Sequence, residues 1–291
     1  MEGNFAKGAK FHQLFFTDFC EGCEIVIGDA LSVLKALGSN ICRCCVTSPP
    51  YWGLRDYGIP LENQIGAEVR LNDYIKNLTE IFSEINRVLI PDGTLWLNIG
   101  DSYTSGNRTW RDADKKNPAR GMAYRPPTPQ GLKPKDLIGV PWRIAFALQE
   151  AGWYLRSDII WYKPNCQPES VKDRPTRSHE YVFLFSKSEK YFYNYGTIKE
   201  DYNGNTRNRR TVWQINTEAF HGAHFATFPP KLVELCILAG SEPGDIVIDP
   251  FFGSGTVGEV CLKLDRKFIG IEIKEEYADI AKKRLKWKAK Q

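Results

Sequence analysis

Short apolar runs and amphipathic stretches alternate along this chain of 291 residues. Runs rich in β-branched and aromatic residues predict strands, and apolar residues at every third or fourth position predict helices. Strands are predicted at 23–29, 40–50, 93–101, 153–163, 180–188, 190–195, 245–253 and 267–273. Helices are predicted at 30–37, 71–89, 141–152, 231–240 and 274–290. This order predicts an α/β fold, with a mostly parallel sheet and helices on both faces.

Composition narrows the class of protein. Hydrophobic residues make up 42% of the chain and charged residues 25%, as in ordinary soluble proteins, and the net charge of +4 neither requires nor excludes a polyanionic partner. No apolar run approaches the ~20 residues that cross a bilayer, and the N-terminus lacks a secretory signal. Together with eight cysteines, these features predict a cytoplasmic protein with reduced thiols.

The cysteine spacing raises the question of a zinc site. Cys20-x-x-Cys23 and Cys42-x-Cys44-Cys45 together offer enough sulfur ligands for one ion. The second group, however, lies in an apolar predicted strand, where cysteine behaves as a small hydrophobic residue. We therefore predict no metal.

A glycine-rich turn in the C-terminal part suggests a cofactor site. Asp249 ends a predicted strand, and the turn Gly253-Ser254-Gly255-Thr256 then opens a helix. A carboxylate before the glycines would repel a pyrophosphate but suits an α-amino group. Glu272, at the end of the next strand, suits a ribose diol. The pattern favours S-adenosylmethionine, with its carboxylate at Ser254 and Thr256; the alternative is a turn that serves packing alone.

A second motif, Ser48-Pro49-Pro50-Tyr51, lies where the strand predicted within 40–50 runs into a rigid turn. Prolines remove backbone donors but keep carbonyl acceptors. Ser48 Oγ and the Pro49 carbonyl are therefore predicted to accept hydrogen bonds from both N–H groups of a base amino group. These hydrogen bonds would turn the nitrogen lone pair towards a methyl donor. Tyr51 and Trp52 are predicted to stack on a base swung out of the duplex. The alternative is an ordinary Ser-Pro-Pro turn with a packing tyrosine.

These two motifs, in this order, resemble those of the β class of amino-methylating DNA methyltransferases. Segments 28–34, 53–58, 132–165, 178–188 and 224–240 are similar to the family's other conserved segments. The resemblance implies one Rossmann-like class I methyltransferase domain over 1–291 with circularly permuted motifs. Its catalytic half would span about 20–190, its small target-recognition insertions about 102–136 and 190–222, and its cofactor half about 223–291. The cofactor residues it implies are Asp29, Phe225, Lys231, Asp249, Phe251, Gly253, Gly255, Thr256 and Glu272.

The residue before the two prolines bears on the target base. In the family that this chain resembles, Ser48 is typical of enzymes that methylate cytosine N4, so cytosine N4 is predicted, with adenine N6 as the alternative. Methylation at cytosine C5 is disfavoured because it needs a cysteine nucleophile, and Cys166 lies in the wrong context. An RNA substrate and a nucleic-acid-binding module without catalysis also stay open.

Target recognition falls to a small set of basic and aromatic residues. Double-stranded DNA is the predicted partner, and a cognate restriction endonuclease and a homodimer are further predicted partners. The predicted DNA contacts are Trp52, Lys163, Arg174, Arg177, His179, Arg207, Arg209 and Arg210. The short insertions predict a short recognition sequence.

Overall fold

The computed structural model describes residues 22–54, 64–105, 125–218 and 228–288. Its strands are β1 (Glu24–Ile27), β2 (Cys42–Thr47), β3 (Leu89–Ile99), β4 (Tyr154–Tyr162), β5 (His179–Ser186), β6 (Glu200–Tyr202), β7 (Asn205–Arg207), β8 (Val212–Gln214), β9 (Ile246–Asp249) and β10 (Lys267–Glu272). Its α-helices are α1 (Ala30–Ala36), α2 (Leu71–Val88), α3 (Val140–Glu150), α4 (Pro230–Gly240), α5 (Thr256–Lys263) and α6 (Glu275–Lys288).

Eight of these strands form one mixed sheet in the order β1-β10-β9-β2-β3-β5-β4-β8. The first five run parallel to one another, β5 is antiparallel to both of its neighbours, and β8 is parallel to β4. The predicted mostly parallel sheet is therefore confirmed. The division of residues 1–291 into a catalytic half, insertions and a cofactor half stays a prediction.

Helices cover both faces of the sheet. On one face, α1, α2 and α3 bury side chains such as Leu34, Phe82 and Ile144. On the other face, α4, α5 and α6 bury Ile237, Val257 and other apolar residues. The apolar strands are thus buried on both sides, as expected of a doubly covered sheet.

The strand predicted at 190–195 is wrong. Its backbone forms no ladder with a strand: the Phe192 amide donates to the Asp92 carbonyl at the start of β3, and the Asn194 amide donates to the Ala239 carbonyl in α4. A 3-10 turn, Tyr195–Ile198, follows. The aromatic residues of this segment pack against neighbouring elements instead: Tyr193 stacks on Trp96 of β3, with 6.3 Å between the ring centroids. Short strands β6, β7 and β8 lie in a region that the sequence indicated only as an insertion.

The thiols are mostly reduced, with one exception. Cys23 is disulfide-bonded, so the prediction of reduced thiols is wrong for this residue. Composition alone does not show which cysteines lie close enough to form a disulfide. The other six cysteines in the described ranges are free, and burial raises the pKa of Cys44 to about 12. Within those ranges no cluster of metal-ligating residues is found, and no helix there is long and apolar enough to span a membrane.

Candidate active site

Both predicted motifs lie at one point of the sheet, the carboxyl ends of the adjacent strands β2 and β9. The chain leaves β2 through α2 on one face and leaves β9 through α5 on the other. Such a topological switch point opens a crevice in which α/β proteins bind ligands. Thr47 Oγ1 donates a buried 2.6 Å hydrogen bond to Asp249 Oδ1, which ties the two motifs together.

Asp249 carries a buried carboxylate that pairs with no cation from the described residues. Its side chain is 1% exposed, and Oδ1 accepts from Thr47 and, at 3.0 Å, from the Phe251 amide. Among the described residues no donor reaches Oδ2. Burial raises the pKa of Asp249 to about 7, because little in the protein offsets the loss of water. This oxygen fits a cationic ammonium group.

Glu272 forms the second carboxylate of the crevice. It is 7% exposed at the end of β10 and accepts from the Gly253 amide at 2.8 Å and the Lys274 amide at 2.9 Å. Burial raises its pKa. Each carboxylate oxygen keeps a further lone pair, so a diol such as that of ribose can donate to it. Asp29 lies nearby, beyond Gly28, and caps α1 by accepting from the Ser32 amide.

The glycine turn is fastened to α6 by an arginine that the sequence did not single out. Arg284 Nη1 donates to Ser254 Oγ at 3.2 Å and to Thr256 Oγ1 at 3.0 Å, and its Nε lies 2.5 Å from Glu259. Gly255 has φ +80°, and a Cβ there would lie 2.9 Å from that of Ala281. Both hydroxyls therefore serve packing of the turn, which leaves the backbone amides for the predicted ligand contact.

The remaining predicted cofactor residues are less well placed. Phe251 is half-buried at the end of β9 and packs against the core. Lys231 lies in the first turn of α4, where its ammonium pairs with Glu234 at 3.3 Å. Phe225 lies outside the described residues. Asp249, Glu272 and the glycine turn are thus what the structure brings together, and their donor set fits S-adenosylmethionine.

The turn formed by residues 48–51 is held in place by a side chain of α2. Tyr74 donates a 2.8 Å hydrogen bond to the Pro50 carbonyl. No donor from the described ranges reaches the Pro49 carbonyl, so it is available to a ligand. Ser48 Oγ is 3.5 Å from the Tyr51 hydroxyl. Burial and the adjacent Glu180 raise the pKa of Tyr51, which keeps the phenol neutral.

A polar cluster surrounds the Tyr51 hydroxyl. Tyr51 donates to Glu180 Oε2 at 2.8 Å, and Asn98 Nδ2 lies 3.3 Å from the same oxygen. Lys163 Nζ lies 2.5 Å from Glu180 Oε1 and 4.0 Å from the centre of the Trp161 ring. Sequence reasoning passed over Asn98, although a lone amide in an apolar strand is a signal of function.

The predicted base-stacking role of Trp52 is wrong. Its side chain is 5% exposed within the core, and its Nε1 donates to the Glu68 carbonyl at 2.8 Å. The tryptophan faces the protein because the turn after Tyr51 folds back onto residues 64–68. Adjacent residues in such a turn point to different sides, which the sequence could not reveal.

The residues predicted to contact DNA between β4 and β5 form a local network. Arg174 pairs with Glu169 at 2.7 Å and stacks 3.9 Å from the centre of the Tyr103 ring. The Arg177 amide also donates to Glu169. His179 begins β5, and burial together with nearby cations lowers its pKa.

The three arginines near β7 differ in exposure. Arg207 and Arg210 both pair with Glu200, at 2.7 and 3.1 Å. The Arg210 side chain is 70% exposed. Arg209 Nε instead donates to the Ile198 carbonyl at 2.8 Å, so its guanidinium fastens the backbone. Arg210 is therefore the one of the three best placed for a partner.

A family model for DNA methylases, of the N6/N4 methyltransferase type, matches residues 42–283. The chain belongs to this DNA methylase family. The predicted family, enzyme class and class I methyltransferase fold are thereby confirmed. The matched region contains both motifs of the crevice, with the two carboxylates and the Ser48 turn.

Relatives and solved structures agree with that assignment. This methylase is 65% identical to the type II methyltransferase M.SmaI of Serratia marcescens, over 90% of each chain. It is 64% identical to M.Cfr9I of Citrobacter freundii, over 91% of this chain and 88% of that one. Among solved structures, the cytosine-N4-specific PvuII DNA methyltransferase superposes on this chain with TM-score 0.70 and 22% identity. The superposition covers 99% of this chain and 95% of the PvuII chain. A DNA modification methylase of Thermus thermophilus, complexed with S-adenosyl-L-methionine, has TM-score 0.64 and 22% identity, covering 92% of this chain and 94% of its own.

Proposed function

We propose that this type II DNA methyltransferase transfers a methyl group from S-adenosylmethionine to the N4 amino group of a cytosine that is swung out of duplex DNA. One observation carries the proposal. The Thr47–Asp249 hydrogen bond joins the Ser48 turn to a buried carboxylate, and no cation from the described residues pairs with that carboxylate.

The cofactor is S-adenosylmethionine, which supplies an electrophilic methyl group on a sulfonium. Asp249 Oδ2 binds its ammonium, and Glu272 accepts from its ribose hydroxyls. The backbone amides of the Gly253–Thr256 turn and the start of α5 receive its carboxylate. These three contacts fix the methyl donor relative to Ser48.

On the other side of the crevice, the Ser48 turn activates the nucleophile. The lone pair of a base amino group is delocalised into the ring, which makes the nitrogen a poor nucleophile. Ser48 Oγ and the Pro49 carbonyl accept hydrogen bonds from its two N–H groups and favour a pyramidal nitrogen. As the bond from nitrogen to the methyl carbon forms, the bond from that carbon to sulfur breaks, and one N–H proton is released to water. Tyr51 provides the ring on which the extruded base stacks.

Cytosine N4 is the proposed target rather than adenine N6. Two considerations support it: the serine before Pro49, and the cytosine-N4 specificity of the PvuII enzyme, which shares the fold. The type II names of the relatives support a cognate restriction endonuclease as the functional partner. Arg210 is the proposed phosphate contact, and a homodimer stays a prediction.

The test is transfer of a labelled methyl group to unmethylated duplex DNA, followed by mass spectrometry of the nucleosides. N4-methylcytosine is the expected product. N6-methyladenine would overturn the choice of base, and cofactor binding without any DNA product would overturn DNA as the substrate. Ser48→Ala is expected to lower the rate about 100-fold by removing one acceptor, whereas Ser83→Ala, on the exposed face of α2, is the matched control.

A further inference from the structure

Glu180 is the centre of a cluster to which three elements contribute. Its Oε2 accepts from the Tyr51 hydroxyl at 2.8 Å and from the Asn98 amide at 3.3 Å. Its Oε1 lies 2.5 Å from Lys163 Nζ. The Glu180 side chain is only 19% exposed, so these contacts are largely screened from water. All three partners are donors, which matches a carboxylate.

The carboxylate determines the direction of the hydrogen bonds beyond it. A carboxylate accepts and does not donate, so the single proton of the Tyr51 hydroxyl is directed to Glu180. The Tyr51 oxygen then accepts from Ser48 Oγ, 3.5 Å away. With its own proton directed at Tyr51, Ser48 keeps its lone pairs free for a donor.

We propose that Glu180 is a positioning residue that acts through Tyr51, holding Ser48 as the hydrogen-bond acceptor of the target amino group. The inference rests on the proposed function, because Ser48 must face an amino group. The contact between Ser48 and Tyr51 is long, as catalytic hydrogen bonds often are before substrate binds, and it shortens once the base is in place.

The fold is shaped to admit this arrangement. Strand β5 is paired with β4 so that Glu180 lies opposite Trp161, two positions before Lys163. Gly100 follows the neighbouring strand β3. A Cβ at Gly100 would lie 2.8 Å from Tyr51 Cε2 and 3.2 Å from Glu180 Cδ, so glycine permits the tyrosine and the carboxylate to meet.

A simpler role for Glu180 is that of counter-ion to Lys163 alone, and an isosteric change separates the two roles. In Glu180→Gln the Lys163 ammonium attracts the amide oxygen, which turns the amide NH₂ towards Tyr51. Tyr51 must then accept from Gln and donate to Ser48, which occupies a lone pair that the amino group needs. Asn98 loses its acceptor on residue 180 but keeps the Tyr181 carbonyl at 3.1 Å, so the change acts mainly by reversing the hydrogen bonds through Tyr51 and Ser48.

The experiment compares single-turnover methyl transfer at saturating DNA and cofactor in wild type, E180Q, Y51F and E180Q/Y51F. We expect E180Q to slow transfer about 10- to 100-fold. In the Y51F background, with no hydroxyl to reverse, E180Q should change the rate less than about twofold. Cofactor affinity by calorimetry should stay at its wild-type value, whereas the loss of the Lys163 counter-ion should lower the unfolding temperature. Glu84→Gln, which alters a similar ion pair with Arg87 on α2, is the matched control.

A rescue variant keeps the proposal testable even where E180Q is poorly folded. E180Q/K163M removes the ammonium that orients the amide, so Gln can present its oxygen to Tyr51 and the rate should rise well above that of E180Q. Three results would overturn the proposal: a wild-type rate in E180Q, an equal loss in the Y51F background, or no recovery in E180Q/K163M. If the wild-type enzyme methylates adenine, the proposed base is refuted, but the ratios of variant to wild-type rates still test the role of Glu180, since both bases present an amino group. If the wild-type enzyme makes no product, both the proposed function and the role of Glu180 are overturned.

Discussion

The buried carboxylate of Asp249 is expected to reduce the stability of the apo protein in return for cofactor binding. Asp249→Asn tests this with little change of shape. Both hydrogen bonds that Asp249 accepts, from Thr47 and from the Phe251 amide, end on Oδ1. The Asn amide oxygen can keep both, while Oδ2 is replaced by an NH₂ group that repels an ammonium.

The magnitude follows from the pKa of Asp249, which burial raises from 3.8 to about 7. A rise of that size corresponds to on the order of 4 kcal/mol against the ionised form. Because the folded state holds its proton more tightly, the free energy of unfolding falls as pH rises from about 4 to about 7, and the full cost applies above that window. Below it the carboxyl is neutral in both states, and the cost vanishes.

The assay is urea unfolding of the cofactor-free protein at pH 8 and pH 5. Asp249→Asn should raise the free energy of unfolding above that of wild type, and this increase should be about 2–3 kcal/mol larger at pH 8 than at pH 5. Calorimetry at pH 8 should show S-adenosylmethionine bound about 100-fold more weakly. Asp245→Asn, just before the same strand but paired with Arg43 at the opposite edge, should leave cofactor affinity unchanged. The reasoning is refuted if the stability difference between Asp249→Asn and wild type is the same at both pH values.

Three further changes probe the site. Arg284→Gln should weaken cofactor binding and cost about 2 kcal/mol of unfolding free energy, measured by calorimetry and urea, because Glu259 loses its cation; unchanged values would show that the turn holds itself. Gly100→Ala should slow methyl transfer while sparing cofactor affinity, since overpacking of about 1–3 kcal/mol falls on Tyr51 and Glu180; an unaltered single-turnover rate would contradict this. Arg210→Ala should reduce the slope of the logarithm of the DNA-binding constant against the logarithm of salt concentration by about one, whereas Arg209→Ala should lower the unfolding temperature. The reverse pattern would show that Arg209 contacts DNA and Arg210 stabilises the fold.

The main sheet and the location of both motifs could be predicted from the chain. Long apolar runs bounded by Pro and Gly identify strands that are buried on both faces, and the strand-helix alternation then predicts a mostly parallel sheet, although not the order of its strands or the antiparallel β5. Ser48 directly follows β2 and Asp249 ends β9, so both lie at the edge of the sheet where parallel strands have their carboxyl ends. This inference needs no knowledge of side-chain contacts.

Contacts that depend on side-chain direction could not be predicted. Trp52 and Tyr51 are neighbours in a turn, and only the course of residues 64–68 shows that one is buried in the core. Arg284 lies among lysines on an amphipathic helix, and its pattern is that of a solvated helix end. Its role depends on the approach of Gly255 to Ala281, a contact between residues far apart in sequence.

The two sides of the crevice are electrostatically distinct, and that difference explains how they divide the reaction. Glu180 already has a cation, Lys163, within the protein, so its charge is available to orient neutral hydroxyls without attracting a ligand cation. Asp249 has no such partner among the described residues, so its ionised form is best stabilised when a cationic ligand arrives. A site with both carboxylates paired would bind the cofactor weakly, and one with both unpaired would draw the ammonium to the wrong side. The position of Lys163 therefore helps to keep cofactor and base on opposite sides of Ser48.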